Sequence, residues 1–384
     1  LGGISIKSKD QIKILKSLGF KIKSKTNKNI SIVVPHFRPD IDGTADIFEE
    51  IVRIFGYDKI EPISVNKDEK IKKEILNDDL KSFYKSKRII ASRGYLETIT
   101  WSFISSQNAE IDLSNKAIKI KNPISSDLDT MRNSILPNLL SSINMNSGRL
   151  YTNGKLFEVG PQYNGIEDND QQMIATAIQY GLAYNEVWNN QKRISDIFDI
   201  KSDLYFTLDQ LKVPTENILY NEIDNVYFHP GKSAQLKIGK NIIAQFGEIH
   251  PSILQKFDIK TKVNAFEIFL NNVSQFQSKR SSTKKAYDNN DLQAVERDFA
   301  FLLPKNVKGL EVVNKIKQIN KKVVKKVTIF DVFEDDKFSE NMKSLAFKVI
   351  LQPIEKTFTD KEIESFSNSI IDLISKTFEG KIRQ

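Results

Sequence analysis

Residues 291–384 carry the pattern that most constrains the fold, because their apolar residues switch between the spacing of strands and the spacing of helices. In "KSLAFKVILQP", apolar residues occupy every second position from Leu345 to Leu351, which predicts a strand with one buried and one wet face. In "KEIESFSNSIIDLIS", they recur every three or four positions, which predicts a helix. The remaining segments are "VERDFAFLL", "GLEVVNKIKQIN", "VVKKVTIFDVFE" and "GKIRQ". Together they predict the order β-α-β-β-α-β.

That order of elements is the split βαβ arrangement of ferredoxin-like domains. Thr359 and Glu362 form a capping-box pair at the start of the second helix, and Ser8 and Gln11 form another near the start of the chain. A length of 384 residues predicts two or three domains. The chain is therefore interpreted as a multidomain α+β protein.

Composition shifts divide the chain into three domains and two connecting segments. Residues 1–62 have the helix and strand pattern of a winged-helix-like module, and residues 63–82 are a charged linker or a solvated helix. Residues 83–273 form a mixed α+β domain, with "TITWSF", "KLFEVGPQY", "AQLKI" and "IIAQFGEI" as strand candidates. Residues 274–290 are a basic linker, with a phosphate contact as the alternative, and residues 291–384 are the ferredoxin-like domain.

The composition excludes several classes of function. The chain has no cysteine, which excludes thiolate catalysis, cysteine-based zinc sites and disulfides. No apolar run reaches the roughly 18–20 residues that cross a bilayer, so no membrane role is expected and a cytoplasmic location is the simplest expectation. The net charge of +8 and the pI near 9.1 suit a polyanionic partner such as RNA, although heavy general use of Lys explains the charge equally well.

Four carboxylates gather at the start of the helix in "VPHFRPDIDGTADIFEEIVRIFGY". Asp46, Glu49 and Glu50 fall at positions that share one helical face, and Asp40 lies in the approaching loop. Acids in a first turn complement the helix dipole, which makes a solvated helix start one reading. Four like charges also repel one another, and a hard divalent cation with oxygen ligands, such as Mg²⁺, would relieve that repulsion. The residues by themselves leave both readings open.

The other candidate groups give weaker signals. His36, His229 and His250 are far apart in sequence, and no zinc site or catalytic triad is expected from them. "HPGKS" lacks the first glycine of a phosphate-binding loop, so a tight turn is the favoured interpretation. In "NKKVVKKV", a strand would place Lys322 and Lys326 on one face, where an RNA contact and a solvated surface are equal readings.

Several of these stretches, in this order, resemble the C-terminal half of the beta subunit of bacterial phenylalanine–tRNA ligases. The stretch that carries the acids resembles the family's winged-helix signature. "SRGYLETITWSF", "NPISSDLDTMRNSILPNLL", "KLFEVGPQY", "HPGKSAQL" and "FGEIHP" resemble its synthetase-like core. "VERDFAFLL", "IFDVFE" and "KSLAFKVILQPIEKTFTDKEI" resemble its ferredoxin-fold anticodon-binding domain. The resemblance covers nearly the whole chain, and the missing initiator Met indicates a fragment of a longer protein.

The resemblance implies a set of sites and partners. The family's Mg²⁺ ligands fall on Asp40, Asp46, Glu49 and Glu50. The family is an α2β2 heterotetramer in which the alpha subunit activates phenylalanine and ATP is bound mainly by the alpha subunit, so this chain is expected to bind the alpha subunit and tRNA-Phe. Candidate tRNA contacts in the ferredoxin-like domain are Arg297, Lys322, Lys326 and Lys348.

The class II synthetase-like core is expected to be a catalytically inactive antiparallel-sheet domain. Class II ligases grip ATP through an Arg on a paired strand and through a Gly-rich motif ending in Arg, since the charge of the leaving group must be neutralised. "RLYTNGKLFEVG" lacks Phe-Arg-x-Glu, and "FGEIHPSILQKF" lacks Gly-Leu-Arg. No catalytic residue is therefore assigned to this chain. Editing of mischarged tRNA is not expected either, because the family's N-terminal tRNA-binding and editing domains do not occur in these residues.

The alternative is a stand-alone winged-helix nucleic-acid-binding protein without a ligase role. Such a protein would read a duplex with basic residues on the exposed face of its second helix. That face carries Asp46, Glu49 and Glu50 here, with Arg53 alone opposing them, which disfavours the alternative.

Overall fold

Helices and strands occur throughout the computed structural model, which describes residues 4–62, 75–112, 117–167, 170–184, 186–277, 290–334 and 341–383. The chain divides into a first unit of residues 1–278 and a second unit of residues 279–384. Both units mix helices and strands, as the sequence predicts. None of the helices in the described ranges is both long and apolar enough to cross a membrane.

Residues 4–62 form a helix, a β-hairpin and a second helix. The elements are α1 (Ser8–Ser17), β1 (Lys21–Lys25), β2 (Ile30–Val33) and α2 (Thr44–Phe55). The strands pair antiparallel, and Leu15, Phe20 and Ile51 are the buried centre of a small core. Gly19 follows α1 with a φ of 89°, a conformation that residues with a Cβ rarely adopt. The described residues establish this order of elements, and the winged-helix description stays a prediction.

The middle of the chain is built on a seven-stranded sheet. The elements before the long strands are α3 (Asp78–Ser92), β3 (Leu96–Glu97), β4 (Phe103–Ile104), α4 (Ser106–Ala109), β5 (Thr130–Met131) and α5 (Leu136–Ser147). The later elements are β6 (Gly154–Tyr163), β7 (Gln171–Tyr180), α6 (Ile197–Gln210), β8 (Leu219–Asn221), β9 (Phe228–Ile238), β10 (Asn241–Ile249), α7 (Pro251–Lys256), β11 (Val263–Phe269) and α8 (Leu270–Ser274). The strand order is β3-β6-β7-β11-β10-β9-β8, and neighbours pair antiparallel except β3 with β6.

Helices cover both faces of this sheet. On one face, Phe157 and Phe266 pack in a core with residues of α3, α6 and α8. On the other face, Leu156 and Ala265 pack in a core with residues of α5 and α7. Because neighbouring residues of a strand point to opposite faces, these two pairs show that β6 and β11 are buried on both sides.

A row of polar residues crosses the face that α5 and α7 cover. Glu158, Thr176, Glu267 and Gln245 are register partners on β6, β7, β11 and β10, and all four are buried. Gln245 and Thr176 donate hydrogen bonds to the Glu267 carboxyl. Burial raises the pKa of the Glu267 carboxyl to about 7, and those hydrogen bonds act in the opposite direction. This carboxyl therefore changes its charge near neutral pH inside the sheet.

Arg132 neutralises the other carboxylate of the row. Its Nη1 donates to Oε1 of Glu158 at 2.6 Å and to Oγ1 of Thr100 at 3.1 Å. Its Nε donates to the carbonyl of Pro161 at 2.8 Å. A Cβ at Gly160 would come within 2.5 Å of Nη2 of Arg132, so glycine makes room for the guanidinium. The charge of Arg132 is thus compensated inside the protein.

The second unit is a four-stranded antiparallel sheet with two helices packed on one face. Its elements are β12 (Val295–Pro304), α9 (Gly309–Ile319), β13 (Val324–Phe333), β14 (Met342–Leu351), α10 (Asp360–Phe378) and β15 (Lys381–Ile382). The strand order β13-β14-β12-β15 confirms the predicted ferredoxin-like arrangement. Phe299, Phe301 and Phe347 fill its core, with ring centroids 5.5–6.3 Å apart. Thr359 caps α10 as predicted, and Glu362 accepts the Thr359 backbone N–H at 2.8 Å.

Some local expectations differ from the structure. Helix α3 begins at Asp78, inside the segment predicted as a linker or solvated helix. Residues 63–74 of that segment and residues 278–289 of the second predicted linker lie outside the described residues. Ser8 does not cap α1, because Lys7 is its N-cap residue and Gln11 donates to a backbone carbonyl instead. Strands β7 and β11 are missing from the strand candidates, and their runs of buried residues lack the alternation of apolar and polar residues.

We expect the stability of the first unit to fall as pH rises, because of Glu267. Its folded-state pKa of about 7 lies above its ordinary value of 4.5, so between those values the folded protein keeps a proton that the unfolded chain releases. Below pH ~4.5 Glu267 is protonated in both the folded and the unfolded chain and does not change the free energy of unfolding. As pH rises past about 7, it lowers the free energy of unfolding by an amount on the order of 3 kcal/mol.

Urea unfolding followed by tryptophan fluorescence at about pH 5 and about pH 8 measures this effect. The two tryptophans, Trp101 and Trp188, both lie in the first unit. Glu267→Gln should remove this part of the pH dependence, whereas Glu222→Gln, at an exposed carboxylate, should keep it. An identical pH dependence in wild type and Glu267→Gln would contradict the prediction.

Candidate functional site

The acidic residues surround the start of α2. The chain leaves β2, turns through residues 35–43 and begins α2 at Thr44, with Gly43 as the N-cap residue. Asp46, in the first turn, accepts hydrogen bonds from the backbone N–H groups of Asp42 and Gly43 at 2.9 and 2.8 Å. Gly43 has no side chain that could accept a hydrogen bond at the start of the helix. The carboxylate of Asp46, in the first turn of α2, instead accepts the backbone N–H groups that precede the helix.

Arg38 holds two of the four carboxylates. Its Nε and Nη2 donate to the carboxylate of Asp40 at 2.7–3.2 Å. Its Nη1 and Nη2 donate to the carboxylate of Glu50 at 2.8 and 3.1 Å. A single planar guanidinium thus joins a carboxylate of the loop to a carboxylate of the helix.

Glu50 is buried and paired with two arginines. Its side chain is 8% exposed, and Arg53 donates to its Oε2 at 2.9 Å. Hydrogen bonds from Arg38, and then from Arg53, lower the pKa of Glu50 to about 2, although burial acts in the opposite direction. Arg38 also holds the pKa of Asp40 below its ordinary value. Both carboxylates are therefore ionised at neutral pH.

The four predicted magnesium ligands have different partners. Asp40 and Glu50 are bound by Arg38. Asp46 is bound by backbone N–H groups, and Glu49 is exposed. In the ranges that the structure describes, no three histidine or acidic side chains are arranged to hold a metal ion. As placed, these carboxylates do not fit Mg²⁺, which takes oxygen ligands in near-octahedral geometry. The magnesium site stays a prediction of the resemblance.

The face of the second unit's sheet that lies opposite α9 and α10, called here the wet face, carries two of the four predicted tRNA contacts. Lys348 pairs with Thr328 in the register, and Lys326 pairs with Ile350 two positions further along each strand. Lys326 and Lys348 therefore point to the same face. Lys348 also forms an ion pair with Glu296 at 2.9 Å.

The other two predicted contacts lie elsewhere. Arg297 pairs with Val349 in the register, so its side chain points to the opposite face from Lys348. Further along β12, this opposite face packs on the helices. Lys322 lies in the turn before β13, and the expectation that Lys322 and Lys326 share a strand face is wrong. A bulge between Val324 and Lys326 also interrupts the alternation that this expectation requires.

Two residues of the wet face are missing from the sequence candidates. Phe333 pairs with Ser344 on the same face as Lys348, and its side chain is 42% exposed. The guanidinium of Arg383 lies 5.7 Å from the centre of the Phe333 ring and donates to Oγ of Ser344 at 3.2 Å. Exposed rings and guanidinium planes are groups on which nucleic-acid bases stack. Only the order of the strands brings Phe333 and Arg383 together, so no local sequence signal could have identified the pair.

Three family models match successive parts of the chain. The tRNA synthetase B5 domain matches residues 1–57, and the ferredoxin-fold anticodon binding domain matches residues 290–383. The phenylalanyl tRNA synthetase beta chain CLM domain matches residues 67–270, which is more than half of the chain. The chain belongs to the phenylalanyl-tRNA synthetase beta-chain family. The resemblance drawn from the motifs is confirmed.

Curated members of the beta-chain family match over the whole chain. A phenylalanine–tRNA ligase beta subunit of Rhodospirillum rubrum and one of Rickettsia bellii are 34% and 36% identical over 384 residues. These matches cover 100% of this chain but 48% and 43% of the relatives, so the chain spans about half the length of the curated relatives it matches. A pyrrolysyl-tRNA synthetase structure from Desulfitobacterium hafniense aligns over 50% of this chain and 66% of that chain, with 12% identity and a TM-score of 0.40. A score this low carries no argument about the fold.

We expect Asp46→Ala to destabilise the start of α2 whether or not a divalent ion is present, because two backbone N–H groups lose their acceptor. The loss should be about 1 kcal/mol, the usual value for a capping side chain. Hydrogen exchange of the amides of residues 42–47 measures it. Glu49→Gln is the matched control, since Glu49 is exposed in the same helix. Equal exchange in the two variants would argue against the capping role.

Proposed function

We propose that this chain is the C-terminal part of a phenylalanine–tRNA ligase beta subunit. In this proposal it supports the ATP-dependent attachment of phenylalanine to tRNA-Phe by binding the alpha subunit and the tRNA within an α2β2 complex. The observation that carries the proposal is the order of the family matches along the chain, at residues 1–57, 67–270 and 290–383. The curated relatives are named for the same ligase. The chain supplies no catalytic residue of its own in this proposal.

The tRNA would bind to the wet face of the second sheet. Lys326 offers charge for a phosphate contact, and Lys348 would offer one in exchange for its ion pair with Glu296. Phe333 with Arg383 offers a surface on which unpaired bases stack. The net charge of +8 adds a general attraction for a polyanion. Because phosphate contacts dominate such binding, the affinity should depend strongly on salt. Arg297 and Lys322 remain candidate contacts outside this face.

The alpha subunit would bind the middle of the chain, which we propose to be a class II synthetase-like domain without activity. Leu96, Ile99 and Trp101 follow α3 closely, and their side chains are 70%, 88% and 65% exposed. Large apolar side chains exposed this close together are typical of an interaction surface. Activation of phenylalanine is assigned to the alpha subunit, because the motifs that grip ATP are missing from this domain.

ATP and Mg²⁺ enter the proposal as cofactors of the assembled ligase. ATP would be bound mainly by the alpha subunit. The residues that the resemblance assigns to Mg²⁺ lie in the N-terminal domain, which we propose to be winged-helix-like. Because Asp40 and Glu50 are both paired with Arg38, we assign no step of the reaction to an ion held by this chain.

The stand-alone winged-helix alternative fits the structure less well. Helix α2 has one basic residue, Arg53, and that residue is paired with Glu50. Glu49 is exposed on the same helix. A duplex approaching α2 would therefore meet uncompensated negative charge.

We expect Lys326→Ala and Arg383→Ala to weaken tRNA binding by the assembled ligase. Each lost phosphate contact should lower the slope of log affinity against log salt by roughly one, and a lost stacking contact should lower affinity by about 1–3 kcal/mol. Filter binding of tRNA-Phe at several salt concentrations measures both quantities. Lys361→Ala is the matched control, since Lys361 is exposed on α10. A loss at Lys361 as large as that at Lys326 would count against the wet face.

We expect Trp101→Asp and Ile99→Asp to reduce co-purification of the beta subunit with its cognate alpha subunit, because a carboxylate would have to be desolvated in the interface. Ile166→Asp is the control, since Ile166 is 85% exposed and lies in a different loop. Urea unfolding of each variant separates a lost interface from a lost fold. Full retention of the alpha subunit by both variants would exclude this surface.

A further inference from the structure

The carboxylates that the resemblance assigns to a divalent ion already have a cation in this chain. All three nitrogens of the Arg38 guanidinium group donate to Asp40 or Glu50. The Arg38 side chain is 23% exposed, and the Glu50 side chain is 8% exposed. The contact is thus a bidentate pair at the edge of the core and differs from the loose ion pairs of a surface.

The lone pairs left for a metal ion are few. Both oxygens of Glu50 accept N–H groups of Arg38, and Arg53 adds a further donor from the next turn of α2. Both oxygens of Asp40 accept N–H groups of Arg38. A divalent ion that coordinated these two carboxylates would meet the guanidinium at short range and be repelled by it.

The remaining acids are exposed or already accept hydrogen bonds from the backbone. Asp46 uses Oδ2 on the backbone N–H groups of Asp42 and Gly43. Glu49 is exposed and Asp42 is exposed. Mg²⁺ needs six oxygen ligands at about 2.0–2.1 Å, so it would have to take most of them from water or displace Arg38.

We propose that Arg38 is the cation of this acidic cluster: its guanidinium takes the place of a divalent ion in tying residues 36–43 to α2, so that this part of the chain folds without bound metal. Arg38 belongs to the loop that it anchors, so the tie is independent of the concentration of any ion. The proposal goes beyond the ligase function and does not depend on it, because it concerns the cluster in this chain before any partner binds.

Hydrogen exchange of the whole 384-residue chain tests the proposal through peptides that cover residues 36–56. Wild type should exchange at the same rate in Mg²⁺ and in EDTA at equal ionic strength. Arg38→Gln should exchange roughly tenfold faster or more, because the buried carboxylate of Glu50 loses charge-assisted hydrogen bonds. Arg53→Gln is the matched control and should have a smaller effect, since Arg53 is 45% exposed and contacts only Glu50 of the two carboxylates.

Binding of Mn²⁺, followed by water-proton relaxation, is the second measurement. In the wild-type background, Asp40→Asn should leave the binding of Mn²⁺ unchanged. In the Arg38→Gln background, Mn²⁺ binding should increase and Asp40→Asn should remove the increase, because Asp40 and Glu50 have lost the guanidinium cation. Peptides of α1 report whether the domain is still folded. If Arg38→Gln unfolds it, Arg38→Lys, which keeps the charge without the fork of donors, should give intermediate exchange.

Two results would overturn the proposal. One is slower exchange of wild-type residues 36–56 in Mg²⁺ than in EDTA, together with Mn²⁺ binding that Asp40→Asn removes. The other is unchanged exchange in Arg38→Gln or in Arg38→Lys. Neither result bears on the alpha-subunit or tRNA contacts, so the two proposals fail separately.

Discussion

The helices of the second unit cover only one face of its sheet, and the proposed binding of RNA depends on that asymmetry. Helices α9 and α10 pack over Phe301 and Phe347, and among the described residues of this unit no helix covers the opposite face of the sheet. On that face Lys326 and Arg383 are exposed and Lys348 is half-buried, and long basic side chains cost little to keep where their charged ends reach water. Lys326, Lys348 and Arg383 can therefore be placed there without loss of stability.

The central strands of the seven-stranded sheet are under the opposite constraint, because both of their faces are buried. A charged residue there must find a partner or lose its charge, and the chain uses both solutions. Glu158 is paired with Arg132, whereas Glu267 has a pKa raised to about 7 by burial. An arginine enclosed in this way stabilises a carboxylate and is not available to grip a phosphate. This agrees with the proposed role of the domain as an inactive partner of the alpha subunit.

The predictable parts of this fold are those with a local signal. Strand β14 alternates because one face is wet, and the Thr359 capping box marks the start of α10. Strands β7 and β11 have no alternation because they are buried on both faces, so periodicity could not distinguish them from other apolar segments. Lys326 and Lys348 could be named from the sequence because each is a basic residue in a predicted strand. The contact between Phe333 and Arg383 could not be predicted, because it depends on how the strands pair in the folded sheet.

The acidic cluster shows the same limit for charges. Helical spacing predicts that Asp46, Glu49 and Glu50 share one side of α2, but spacing carries no information about depth. Glu50 is buried and so needs the guanidinium of Arg38, whereas Asp46 lies beside N–H groups that a helix start leaves without acceptors. Glu49 is exposed and keeps water as its partner. Burial and the position of Arg38, which the sequence does not reveal residue by residue, decide which carboxylates of this cluster are available to an ion.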